Sequence, residues 1–175
     1  SWRTETYPCG AGGLLAAVAA DGTVWTAGIG YSGGAGIARL SEGACGELLP
    51  WGDGATHDVM GITTDRGGLV AVMIMDAQEA DGQFRGGRIM SWDGERWATL
   101  REGVEVRVTG WNGLSYGPDG TLWAAFDGQL WQYADGVETS VRDDIGQGPV
   151  SVAPDGTVWF VAQDPETGAP FVDRL

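Results

Sequence analysis

The stretch Pro118-Asp119-Gly120-Thr121-Leu122-Trp123 returns later in the chain as Pro154-Asp155-Gly156-Thr157-Val158-Trp159. Each copy is a Gly/Asp turn followed by an apolar strand that carries a tryptophan. A third copy is Asp21-Gly22-Thr23-Val24-Trp25, and we match Arg66-Gly67-Gly68-Leu69-Val70 to the same motif. The positions equivalent to the tryptophan are then 25, 70, 123 and 159, at intervals of 45, 53 and 36 residues. Repeats at such intervals are typical of radial or solenoidal arrays.

Short apolar or alternating runs bounded by Gly, Asp and Pro recur through the chain and predict β-strands. No ten-residue stretch combines helical periodicity with an absence of Gly. An Asp-Gly pair supplies positive φ, so we predict a two-residue hairpin turn in each motif. We expect the recurring Trp25, Trp123 and Trp159 to pack between stacked sheets. The predicted four-stranded units are about 14–51, 59–100, 114–141 and 150–175, within one domain of residues 1–175.

The fourth unit lacks a fourth strand of its own. The segment 1–8 includes Trp2-Arg3-Thr4-Glu5-Thr6, which is similar to Arg96-Trp97-Ala98-Thr99-Leu100 in the last strand of the second unit. We therefore predict that residues 1–8 complete the last sheet, which would close the array and remove an open edge. The alternative is that this strand belongs to a sheet of a missing upstream portion.

The net charge is −14, from 24 acidic and 10 basic residues, and all ten basic residues are Arg. A field of this sign repels phosphate, which argues against nucleic-acid binding and against docking on anionic membranes. No apolar run is long enough to insert into a membrane. We expect a disulfide between Cys9 and Cys45 and hence a secreted or extracytoplasmic, bacterial protein. The sequence is equally compatible with two buried cysteines that are not bonded to each other.

The repeated motif resembles β-propeller repeats, in particular the two-component-regulator, NHL and virginiamycin B lyase-like propellers. The matching residues are the turn motifs at 118–123 and 154–159, then Gln129-Leu130-Trp131-Gln132-Tyr133-Ala134-Asp135-Gly136, and Ser91-Trp92-Asp93-Gly94-Glu95-Arg96-Trp97. The resemblance implies an all-β propeller of four-stranded antiparallel blades, four of them visible. Such propellers commonly have six or seven blades, so the chain is either a small closed propeller or part of a larger one.

In a propeller, the connections from strand B to strand C and from strand D to the next strand A share one face, the usual binding face. We predict ligand-binding residues there. They are Tyr31, Trp51, Asp53, His57, Asp58, Trp111 and Asn112. Exposed tryptophans beside Asn or Asp would suit a sugar ring or a peptide, although Trp111 could equally cover the adjacent blade.

His57-Asp58 is the one place where a general base could sit beside a carboxylate, although a lone His is more often structural. The carboxylates of Asp76, Glu79 and Asp81 could hold Ca²⁺, although their spacing does not match an EF-hand and favours a solvated loop.

The sequence therefore favours a non-catalytic binding or sensing module, without a cofactor, whose partner is a protein, peptide or glycan. Two alternatives stay open: a metal-dependent lyase or hydrolase of the propeller class, and a structural subunit of a surface assembly. The chain could act as a monomer or as a self-associating ring.

Overall fold

A computed structural model describes residues 13–28, 37–41, 44–48, 58–75, 86–104 and 113–175. Every regular element within these ranges is a β-strand. The strands form four antiparallel sheets, which are the blades of a four-bladed β-propeller. The predicted all-β propeller is confirmed.

Blades 1 and 2 are four-stranded meanders in which each strand pairs with the next along the chain. Blade 1 contains β1 to β4, which are Gly13–Val18, Val24–Gly28, Ile37–Ser41 and Ala44–Leu48. Blade 2 contains β5 to β8, which are Asp58–Thr64, Val70–Met75, Gly87–Trp92 and Trp97–Glu102.

Blade 3 has the same four-stranded order, and blade 4 has three strands in the part of the chain that the structure describes. Blade 3 contains β9 to β12, which are Leu114–Tyr116, Leu122–Phe126, Gln129–Ala134 and Val137–Asp143. Blade 4 contains β13 to β15, which are Ile145–Val152, Val158–Gln163 and Pro170–Arg174. We refer to the strands of each blade, in order, as A, B, C and D.

The turn between strands A and B differs from the prediction. The backbone N–H of Ala19 donates to the carbonyl oxygen of Thr23 at 2.9 Å, and the N–H of Gly22 donates to the carbonyl oxygen of Ala19 at 3.0 Å. Three residues, not two, therefore lie between the paired ends, and in this turn only Gly22 adopts positive φ, at 85°. Asp21 instead acts through its carboxylate, whose Oδ1 accepts the N–H of Thr23 at 2.8 Å. A type I turn followed by a left-handed glycine explains this geometry.

The same turn corrects the alignment of the second repeat. In blade 2 the N–H of Asp65 donates to the oxygen of Leu69, and Gly68 has φ of 90°. Gly68 is thus equivalent to Gly22, and Ala71 rather than Val70 occupies the tryptophan position. The predicted match was wrong by one residue because this copy has no Asp-Gly pair, so its capping carboxylate comes from Asp65, which accepts the N–H of Leu69 at 2.7 Å.

Two-residue Asp-Gly turns do occur, but elsewhere in the repeat. Asp127-Gly128 joins strands B and C of blade 3, with φ of 52° and 73°. Asp135-Gly136 joins strands C and D, with φ of 52° and 76°. Both residues of each pair adopt positive φ, as a type I′ hairpin turn requires.

Apolar side chains are buried where one blade packs on the next. Three core clusters fill the junctions of blades 1 and 2, 2 and 3, and 3 and 4. Trp25 is 3% exposed in the first junction, and Trp123 packs against the core of the third. Trp159 departs from the prediction, since it lies on the face of blade 4 that points away from blade 3 and is 40% exposed.

Two arginines reach from strand D of one blade onto aromatic rings of the next. Arg101 stacks over Trp131 at 4.2 Å from the ring centroid and forms an ion pair with Glu138.

Arg142 holds the equivalent place in blade 3. It lies 5.2 Å from the ring centroid of Phe160 and 2.8 Å from a carboxylate oxygen of Asp173. In both strands the arginine follows an irregularity in the pairing that turns its side chain toward the following blade.

Two predictions lie outside the described residues. Residues 1–8, the proposed fourth strand of blade 4, are not among them, and neither is Cys9. Cys45 lies on β4 opposite Leu40, so its pairing with Cys9 stays a prediction. In the described part of the chain, no helix is long and apolar enough to cross a membrane.

We predict that the carboxylate cap of Asp119 contributes stability only while it is ionised. The N–H of Thr121 donates to it at 3.0 Å and holds its pKa below the usual value. The contribution is therefore present above the unfolded pKa of about 4 and is lost as the pH falls through the folded pKa. Asp119→Ala should lower the melting temperature by about 2–4 °C at neutral pH, and the difference should shrink in acid.

Thermal unfolding followed by circular dichroism at several pH values measures this difference. The matched control is Asp119→Asn, which keeps an oxygen acceptor and cannot titrate. A constant difference between wild type and Asp119→Ala across the acid range would contradict the prediction.

Candidate functional site

The long connections of the chain leave from one face of the propeller. Strands B and D both end at the face opposite the A–B turns, so the B–C and D–A connections start there. The B–C connections of blades 1 and 2 are residues 29–36 and 76–86, with 8 and 11 residues. The D–A connections from blade 1 to blade 2 and from blade 2 to blade 3 are residues 49–57 and 103–113, with 9 and 11 residues. We call this the loop face.

Around blade 3, the loop face is built from tight turns instead. Two residues, Asp127 and Gly128, join β10 to β11, and the single residue Asp144 joins β12 to β13. The four long connections thus follow strands of blades 1 and 2, whereas the connections that follow strands B and D of blade 3 are short.

Nearly all of the predicted site residues belong to these long connections, and they lie outside the described residues. They are Tyr31, Trp51, Asp53, His57, Asp76, Glu79, Asp81, Trp111 and Asn112. Asp58 is described: it is the first residue of β5, is half-buried, and lies across from Met75 at the loop face. The strand ends therefore bring the connections to a common face. The convergence of the predicted side chains at this face stays a prediction.

A different feature, which the sequence reasoning missed, lies at the opposite end of the propeller axis. The A–B turns of the four blades surround a cavity of about 250 Å³. Its lining residues are Val18, Ala20, Thr64, Asp65, Arg66, Tyr116, Gly117, Pro118, Val152, Ala153 and Pro154. One available signal was the equivalence of Val18, Thr64, Tyr116 and Val152, each of which precedes the turn motif by the same number of residues. The misalignment of the second repeat hid it.

The axial cavity has a polar wall and an apolar wall. Blade 2 supplies Asp65 and Arg66, blade 3 supplies Tyr116, and the residues from blades 1 and 4 are aliphatic or proline. Hydrogen bonds tie the walls together, since the N–H of Val152 donates to the hydroxyl of Ser115 at 3.1 Å. The N–H of Tyr116 donates to the hydroxyl of Thr63 at 3.4 Å. The innermost strands of blades 2, 3 and 4 are therefore linked directly.

The electrostatics of the cavity favour a protonated phenol. Burial raises the pKa of Tyr116, and the carboxylate of Asp65 raises it further because a phenolate would be repelled. Asp65 is itself engaged by the N–H of Leu69. Tyr116 can thus donate a hydrogen bond at neutral pH and is a poor general base. Across the described ranges, no cluster of three or more His, Cys, Asp or Glu side chains has the geometry of a metal site.

Burial has the same effect at a second tyrosine. It raises the pKa of Tyr133, with a further contribution from Glu138. Tyr133 packs against the core of the junction between blades 2 and 3, so it is a structural side chain.

Comparison with known proteins places the chain by fold. No family model matches it, and no curated protein matches it. A gluconolactonase of Xanthomonas campestris is 15% identical, with a TM-score of 0.60, over 90% of this chain and 60% of its own. A second protein, named as a gluconolactonase, gives 13% identity and a TM-score of 0.58, over 90% of this chain and 61% of its own.

A protein of Agrobacterium tumefaciens named as TolB is 18% identical, with a TM-score of 0.56, over 92% of this chain and 57% of its own. This chain therefore spans about three fifths of the length of each neighbour. At these identities the likeness establishes the β-propeller fold and no particular repeat family.

We predict that two of the four tyrosines resist ionisation in the folded protein. Because the pKa values of Tyr116 and Tyr133 are raised, neither should contribute to the phenolate absorbance that develops around the usual tyrosine pKa of about 10. Tyr116→Phe and Tyr133→Phe should each leave the alkaline titration up to about pH 11 unchanged. Circular dichroism confirms that the protein stays folded. The loss of one titrating phenol from either variant would contradict the prediction.

Proposed function

We propose that this chain is a non-catalytic binding or sensing module that recognises a protein, peptide or glycan through the loop face. The observation that carries the proposal is the uneven length of the connections at that face. Four connections of 8 to 11 residues follow strands B and D of blades 1 and 2, whereas strands B and D of blade 3 are followed by turns of two residues and one residue.

Long connections on a rigid scaffold supply variable side chains without disturbing the core. These connections carry two tryptophans outside the repeated position, Trp51 and Trp111. Tryptophan is a frequent anchor in recognition surfaces because it buries a large apolar area with few rotatable bonds. The net charge of −14 favours partners that are neutral or basic.

The test is to screen the purified chain against an oligosaccharide array and an immobilised peptide library. Binding of each hit is then remeasured with Trp51→Ala and Trp111→Ala. We expect the dissociation constant to rise about tenfold or more for at least one variant, which corresponds to ~1.4 kcal/mol.

The control is Glu95→Ala. Glu95 is exposed in the turn between β7 and β8, at the end of blade 2 opposite the loop face. Equal loss of binding in all three variants, or unchanged binding in both tryptophan variants, would count against the loop face as the site.

A second proposal is a metal-dependent hydrolase that uses the same face. Two of the structural neighbours are named as gluconolactonases, and His57, Asp76, Glu79 and Asp81 all lie in connections of the loop face. Carboxylates and an imidazole are groups that hold a divalent metal and activate water.

The hydrolase proposal predicts a retained metal and lactone hydrolysis. Elemental analysis of the dialysed protein and a gluconolactone hydrolysis assay test it. His57→Ala should lower the rate at least about 100-fold, the usual contribution of a general base. A metal-free protein that does not hydrolyse the lactone when Ca²⁺, Mn²⁺ or Zn²⁺ is added would overturn this proposal and leave the binding proposal standing.

A further inference from the structure

The junctions between blades follow one rule. Strand A of each following blade packs on strands A and B of the blade before it, as β5 does on β1 and β2, and β13 on β9 and β10. Each blade thus has an upstream face, which meets the blade before it, and a downstream face, which meets the blade after it. Among the described strands, no pair with extensive contact joins blade 4 to blade 1.

Exposure along one repeated position shows where the series of downstream faces is interrupted. Trp25 and Ala71 are 3% and 0% exposed, and Trp123 is half-buried. Trp159, the equivalent residue of blade 4, is 40% exposed. Val172 lies on the same face of blade 4 and is 68% exposed. The downstream face of blade 4 therefore carries apolar residues like those of the internal junctions, but no described blade covers it.

The upstream faces show the complementary pattern. Thr64, Tyr116 and Val152 are all half-buried. Val18, the equivalent residue of blade 1, is 65% exposed. Leu40, two strands further out, is buried, so the open part of this face lies along β1. The downstream face of blade 4 and the upstream face of blade 1 along β1 thus correspond to the two sides of one junction.

We propose that a second copy of this chain covers these faces, so that blade 1 of each copy packs on blade 4 of the other. A second copy carries both missing faces, and two such junctions related by a twofold axis leave no blade uncovered. The contact continues the packing rule of the three internal junctions. This inference does not depend on the proposed function.

The charge of the chain sets a condition on the association. Each copy carries a net charge of −14, so the copies repel at long range, and salt should strengthen the dimer by screening this repulsion. Arg174, which lies 5.5 Å from the ring centroid of Trp159, places one cation on the downstream face of blade 4.

Light scattering coupled to size-exclusion chromatography tests the proposal on the full chain. We expect twice the 18.3 kDa of one chain, with a dimer fraction that rises with protein and salt concentration. Val18→Glu and Trp159→Glu, one on each face, should raise the dissociation constant at least about 100-fold, because each places a charge in an apolar contact.

The matched control is Val137→Glu. Val137 is 62% exposed at the start of β12, on neither of the two open faces, and this variant should dimerise like wild type. Melting curves close to that of wild type establish that each variant is folded. If Trp159→Glu does not fold, Val18→Glu decides alone, since Val18 is mostly exposed in the single chain.

Three results would overturn the proposal. A mass of one chain at all concentrations would mean that the chain's own residues or other blades cover these faces. A ladder of larger species would mean head-to-tail contacts that do not close. A dimer that survives both Val18→Glu and Trp159→Glu would place the interface elsewhere.

Discussion

The apolar contact between the faces of neighbouring blades is the constraint on which the rest of the structure depends. A four-stranded meander has two faces, and burial of the apolar side chains on these faces against neighbouring blades stabilises it. Here Val72 and Ile74 of β6 pack toward blade 1, and Ala71 and Met73 of the same strand pack toward blade 3. Strand B of blade 2 is thus apolar on both faces.

The turns follow from that constraint. Because the blades stack around one axis, each strand A has to reverse at the same end of the propeller, where the four A–B turns line one cavity. The A–B turn achieves this with a left-handed glycine and a carboxylate that accepts a backbone N–H, as Asp155 does from Thr157 at 3.0 Å. Asp155, like Asp21 and Asp119, keeps a lowered pKa because that hydrogen bond favours the ionised form. Some of the negative charge of this chain is therefore structural.

The blades were predictable because their signal is local and repeated. The motif at Asp119 and Asp155 encodes a turn and the strand after it within six residues, and the number of strands per blade followed from the same spacing. The exact turn did not follow, because Asp-Gly is compatible with both a two-residue and a three-residue reversal. The blade 2 copy was misplaced for a related reason: its cap, Asp65, lies before the turn instead of inside it.

The axial cavity was harder to predict, since it is formed by residues far apart in sequence. Tyr116 reads as an ordinary strand residue until the four A strands are placed around one axis. The loop face is the reverse case. The sequence identifies which connections carry unusual residues, such as Trp111 and His57, but the spacing of residues does not predict which side chains of long loops contact one another.

The two arginines between blades solve one problem in two ways. Both arginines lie over a ring on strand B of the next blade, Phe126 for Arg101 and Phe160 for Arg142. Arg101 also stacks on Trp131 of strand C and pairs with Glu138 of strand D, whereas Arg142 pairs with Asp173 of strand C. A long planar cation tolerates this exchange because its stacking face and its hydrogen-bonding edge act independently. Blades can consequently differ in sequence while the junctions between them keep the same kind of contact. Counting repeated letters will then underestimate how many blades a chain of this kind contains.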